Sequence, residues 1–113
     1  MASDAEAMDR ANAILDPIAA DYLDRPGVDV GRMFASEGLR VRGKVFAFVG
    51  FHGALALKLP ADRVDELDGD AGMQRMVMRE RAMREWLTVP ADAADRWAPL
   101  VAEAYAFVDE ITP

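Results

Sequence analysis

The stretch from residue 32 to 60, RMFASEGLRVRGKVFAFVGFHGALALKLP, limits the fold more than any other part of this chain. Its apolar runs break at Glu37-Gly38, Gly43-Lys44 and His52-Gly53. Runs of five or six residues separated by glycine-containing breaks are too short for helices. They fit strands joined by hairpin turns, where glycine supplies the positive φ that a tight turn requires. We therefore expect an antiparallel meander with strands at 28–34, 39–42, 44–49 and 54–59. Gly31 should make the first strand irregular. Leu55, Leu57 and Leu59 alternate with Ala54, Ala56 and Lys58, so the leucines should face the core. In the preceding strand Val45, Ala47 and Val49 oppose Phe46 and Phe48. Both faces of that strand are apolar, which predicts either a strand covered twice or a face left for a partner.

Helices flank this meander. Ser3-Asp4-Ala5-Glu6 has the spacing of a capping box, and Met8, Ala11, Leu15, Ile18, Ala19 and Tyr22 follow at three- and four-residue steps. Pro17 should kink that helix or restart it with Asp16 as cap, and Pro26-Gly27 should end it. Pro60 opens a short helix to Leu67 with Val64 and Leu67 inward. Residues 73–78 and 83–89 read as two more strands around a 79–81 loop. After Val89-Pro90 comes a preliminary turn at 91–97. Then Trp97, Leu100, Val101, Ala104, Val108 and Ile111 form a helical stripe with Phe107 beside it, and its regular part is expected to start near Pro99. This order predicts one α+β domain over residues 1–113: a two-layer sandwich with an antiparallel sheet of five to six strands and helices on one face. Trp86 and Trp97 are expected as core anchors.

The chain has 113 residues and a net charge of −7. That length buries roughly two thirds of the unfolded surface, enough for a core without staples. With no cysteine, a disulfide framework, thiol chemistry and cysteine-ligated metals are excluded. The acidic start MASDAEAMDR lacks the order of a secretory signal, and no apolar run approaches the ~20 residues of a membrane span. A cytoplasmic protein is the expectation. The charge falls in blocks: residues 1–27, 61–72 and 88–113 carry −4 each, whereas 28–60 carry +3 and 73–87 carry +2. The helices are thus acidic and the strands basic.

The marks Met33-Phe34, Gly38-Leu39, Gly43-Lys44-Val45-Phe46-Ala47, Leu57-Lys58 and Met83 to Trp86 with Val89-Pro90 resemble, in order and spacing, the N-terminal domain of the TfoX/Sxy family. Those small bacterial proteins are named for regulators of natural competence. A looser similarity to the MmcQ/YjbR group runs through Gly43-Lys44, Trp86 and the closing helix at Ala104-Tyr105. The resemblance spans about residues 30–90 and implies a helix-flanked antiparallel sheet with a role in transcriptional regulation. Ala35 stands where the family often has glycine, and the helical second domain of full-length competence regulators is expected to be missing.

No catalytic constellation stands out. His52 is the single histidine and falls in a hairpin turn, while Ser3 and Ser36 occupy a cap and a turn. Asp65, Asp68 and Asp70 lack the spacing of a calcium loop, and no phosphate-binding glycine loop occurs. We expect neither cofactor nor metal. The primary expectation is a non-catalytic binding or regulatory module that acts through protein contact or self-association, as a homodimer or with a protein partner. Its candidate surface is Phe46, Phe48, Met76 and Met78, drawn from the aromatic strand and the methionine cluster at Met73, Met76, Met78 and Met83. The alternative is a DNA-associated regulator using Arg32, Arg40, Arg42, Lys44, Lys58 and Arg84, with Arg75, Arg79 and Arg81 nearby. An acidic chain is the reverse of the usual nucleic-acid footprint. The third expectation, a small-ligand enzyme, requires a polar pocket between the closing helix and the sheet near Tyr105.

Overall fold

A computed structural model describes residues 4–33, 36–50 and 52–113, with side chains except at positions 4, 32, 33, 36 and 37. Ser3 of the expected cap, Phe34, Ala35 and Phe51 lie outside the described residues, as do the side chains of Arg32 and Ser36. The elements are α1 (Asp4–Leu23), β1 (Val28–Met33), β2 (Ser36–Val41), β3 (Lys44–Val49), β4 (Leu55–Lys58), α2 (Ala61–Leu67), β5 (Gln74–Met78), β6 (Arg81–Val89) and α3 (Trp97–Ile111). A 3-10 turn at Ala91–Arg96 precedes α3. All six strands form one antiparallel sheet in the order β1-β2-β3-β4-β6-β5. The α+β fold expected from the pattern is the fold observed. α2 carries the chain past β6 to the outer edge, so β5 and β1 are the edge strands.

Two proline effects differ from the sequence expectation. α1 runs through Pro17 as one helix. α3 starts at Trp97, two residues before Pro99. Pro99 therefore sits in the first turn, where backbone N–H groups have no intrahelical acceptor and a missing one costs little. The hairpin between β5 and β6 is also tighter than a three-residue loop. Met78 pairs with Arg81, leaving Arg79 (φ 53°) and Glu80 (φ 65°) as a two-residue turn in the left-handed region.

The core lies between the sheet and the helices. Ala47, Val49, Leu55, Leu57, Leu87 and Val89 project from the covered face onto Trp97, Leu100, Val101, Ala104 and Val108 of α3, with Ala11, Leu15 and Tyr22 of α1 in the same cluster. The alternating leucines of 55–59 face this core, as their period of two requires. Met73 is fully buried there. Trp97 is fully buried and donates its indole N–H to Pro90 O at 3.2 Å. Outside the core Arg63 clamps Glu103 with two bonds of 2.8 and 3.0 Å, tying α2 to α3.

A bulge decides the faces of β3. Leu39 pairs with Ala47 but the next residue, Arg40, pairs with Val45, so Phe46 is the extra residue. A bulged residue escapes strict alternation, and Phe46 joins Ala47 on the helix side. There its ring meets Tyr22 at 5.9 Å and Tyr105 at 5.5 Å. Phe46 is fully buried, which corrects its assignment to a partner surface. Val45 and Phe48 take the other face.

The guanidinium of Arg25 lies 4.4 Å from the Tyr22 ring and 4.7 Å from the Tyr105 ring. Aromatic rings thus lie near Tyr105, where the small-ligand alternative would require a polar pocket. Burial pushes the Tyr22 phenol above its ordinary value of 10.0, and the Arg25 charge pulls it partly back. Because the folded-state value is raised, this contribution to stability is complete below the ordinary phenol range and is lost as pH rises through the raised value. In a Tyr105→Phe background, ultraviolet titration should place Tyr22 above an ordinary phenol, and Arg25→Gln should move it higher still. A midpoint at or below the ordinary value would contradict this packing.

Candidate functional site: a groove on the uncovered sheet face

Among the described residues no helix lies over the second face of the sheet. Cross-strand register places Phe48 beside Gly38, Ala56 beside both Phe48 and Thr88, Lys58 beside Trp86, and Gln74 beside Thr88 on this side. The Phe48 ring meets Trp86 edge-on at 5.6 Å, and Lys58 Nζ lies 6.0 Å from the indole centroid. Trp86 is therefore a half-buried residue of the open face, not a core anchor.

On this face a groove of about 880 Å³ opens between Phe48, Ala56 and Thr88 at its floor and Met76, Val77 and Met78 along β5. Pairing between β5 and β6 is interrupted after Arg75 and resumes at Val77. That break in the ladder lets β5 bend relative to its neighbour and form a wall. The far end is closed by Ala7 and Met8 of α1 together with Pro90 to Asp92. Gly53 makes this closure possible. It has φ +75°, and a Cβ there would stand 2.6 Å from Ala7 O, so only glycine lets the hairpin meet the first turn of α1. Three of the four residues expected on a partner surface, Phe48, Met76 and Met78, line this one groove. Val77 is the residue that the sequence reading passed over. It is 65% exposed, and its signal was a lone apolar side chain in an edge strand.

The basic candidates do not assemble into one patch. Arg40 pairs with Asp29 through two bonds of 2.9 and 2.7 Å, holding the Asp29 carboxyl below the usual carboxylate range. Its side chain crosses Gly31, where a Cβ would fall 2.4 Å from Arg40 Nε. The glycine expected to disturb β1 thus makes room for an ion pair. Arg42 reaches the end of α3, where its guanidinium donates to the Asp109 carboxylate and to Asp109 O and Thr112 O. Lys44 and Lys58 are brought together with Trp86 and Val108 at a smaller crevice of about 280 Å³ beside the end of α3. Arg84 is exposed. Arg75 points inward: its guanidinium pairs with Asp65, its N–H donates to Asp68 at 3.0 Å, and its buried Nε has no partner among the described residues. Asp70 meets Arg96 at 3.6 Å, whereas Asp65 takes the Arg75 guanidinium and Asp68 the Arg75 backbone N–H. Among the described residues no cluster of His, Asp and Glu could hold a metal ion, and no helix is long and apolar enough to cross a membrane.

Comparison with protein-family models, curated proteins and solved structures finds no match to this chain.

Proposed function

We propose that the chain is a non-catalytic binding module of the TfoX N-terminal-domain type, acting through protein contact at the open face of its sheet. One observation carries this reading: among the described residues helices cover one face only, and the other holds a groove lined by Phe48, Met76, Val77 and Met78. Its volume lies within the ~300–1,000 Å³ of binding clefts. Flexible thioethers adapt to an occupant's shape, and burying apolar side chains against them contributes roughly 25 cal/mol per Å² removed from water. The lining is mostly methyl, thioether and phenyl groups, which bind by burial. The alternative, DNA held by the basic strands, has narrower support, because Arg40 and Arg42 are both engaged within the chain.

Val77→Glu tests the reading. The side chain is exposed, so stability should change by no more than about 0.5–1 kcal/mol. Binding of the apolar fluorophore anilinonaphthalene sulfonate to the native protein should be lost. Undiminished fluorophore binding in this variant would show that the groove is not the apolar site.

A further inference from the structure

We infer that the occupant is a polypeptide segment of a partner protein that offers apolar side chains to Phe48, Met76 and Val77 and a carboxylate to Arg79. The inference rests on the binding-module reading above and supplies the partner's chemistry.

Two hairpin turns in this sheet have the same construction. Each has two residues between paired positions, Val41 with Lys44 and Met78 with Arg81. Each places arginine first, in the left-handed region, at φ 47° for Arg42 and 53° for Arg79. That conformation is unfavourable for a side-chain-bearing residue. For Arg42 the cost is offset within the chain by hydrogen bonds to the end of α3. Arg79 has no such partner among the described residues, yet it lines the groove at the end of β5. The two-residue turn imposes that backbone on both of its central residues, and at Arg79 it sets a side chain with no internal partner among the described residues at the end of the groove.

Charge points the same way. Of the other charged residues on the lining, Arg75 is paired with Asp65 and Asp92 faces Arg10 at 3.6 Å. Arg79 is exposed and leaves a positive charge at the end of an apolar wall, where a carboxylate can pair with it through charge-assisted hydrogen bonds. The half-open, methionine-walled shape suits a chain segment carrying several apolar side chains. Because the chain's net charge is −7, salt screens both the overall repulsion and the local pair. Substitution is therefore the discriminating variable.

Random peptides of about twelve residues, displayed on phage, can be selected against the immobilised full chain and the enriched sequences measured by fluorescence anisotropy. The expected peptides carry Asp or Glu among apolar residues and lose binding to Val77→Glu. Arg79→Gly should weaken them about tenfold while raising the thermal midpoint, since glycine relieves the turn as it removes the charge. A purely structural Arg79 would not move affinity and stability in opposite directions. Arg79→Lys should keep most of the affinity. Groove-binding peptides without acidic residues, or equal affinity for wild type and Arg79→Gly, would overturn the inference and leave the binding module standing. If no selected peptide responds to Val77→Glu, both fall. A wild-type dimer that becomes monomeric in Val77→Glu, seen by sedimentation, would assign the groove to a second copy and overturn the partner segment.

Discussion

Phe46→Ala is expected to lower the free energy of unfolding by about 3–5 kcal/mol, the usual range for removing a buried aromatic ring. Phe48→Ala, two residues away, should cost clearly less. The difference follows from the bulge. Phe46 is fully buried beneath the helices and touches two tyrosine rings, so its loss leaves a cavity that Tyr22, Tyr105 and the sheet cannot close. Phe48 is 7% exposed and lies outside the main core cluster, against Trp86 on the face with no helix above it. Water and neighbouring side chains can fill that space. Chemical denaturation with matched m-values measures both. Equal losses at the two positions would show that the faces have been assigned wrongly.

Arg42→Ala should cost about 2 kcal/mol, and Arg42→Gly about 1 kcal/mol less than that. The Arg42 guanidinium donates to Asp109 O and Thr112 O at 2.8 and 2.7 Å, to Pro113 O at 3.2 Å, and to the Asp109 carboxylate at 2.8 Å. The last carbonyls of a helix have no internal donor and carry partial negative charge, so a cation there both satisfies and complements them. α3 has no basic residue in its own last turn; the sheet supplies one from a hairpin. The Arg42 side chain is 36% exposed, so solvent screening keeps the loss below the sum of four buried bonds. Alanine loses the bonds and keeps the strained φ, whereas glycine loses the bonds and relaxes the turn. Denaturation of both variants measures the gap, and hydrogen exchange should accelerate in the last turn of α3. Identical stabilities for the two variants would remove turn strain from the account.

The elements were legible because each rests on local pattern. The alternation at 55–59, the stripe at 97–111 and Pro60 ahead of a short helix are visible in neighbouring residues, and the observed bounds differ by only a few positions. The prolines were legible in kind but not in place. Pro99 is harmless in a first turn, and whether it stands in one depends on where Trp97 packs. The site was half legible. Phe48, Met76 and Met78 do share a groove, but Phe46 does not, and Val77 was missed.

The basic residues show most clearly where local pattern ends. Arg40 and Arg42 look alike in the sequence as strand cations. One spans a neighbouring strand to Asp29, and the other reaches across 67 residues of chain to Asp109. Sequence by itself determined the period of each segment, the place of most turns and the α+β class, since these follow from backbone sterics and from which side chains avoid water. Only the tertiary structure decided which face Phe46 takes, which arginines are engaged and where the groove opens. A bulge, an ion pair and a cavity each arise from residues far apart in sequence, and their positions are set by how the sheet and helices pack.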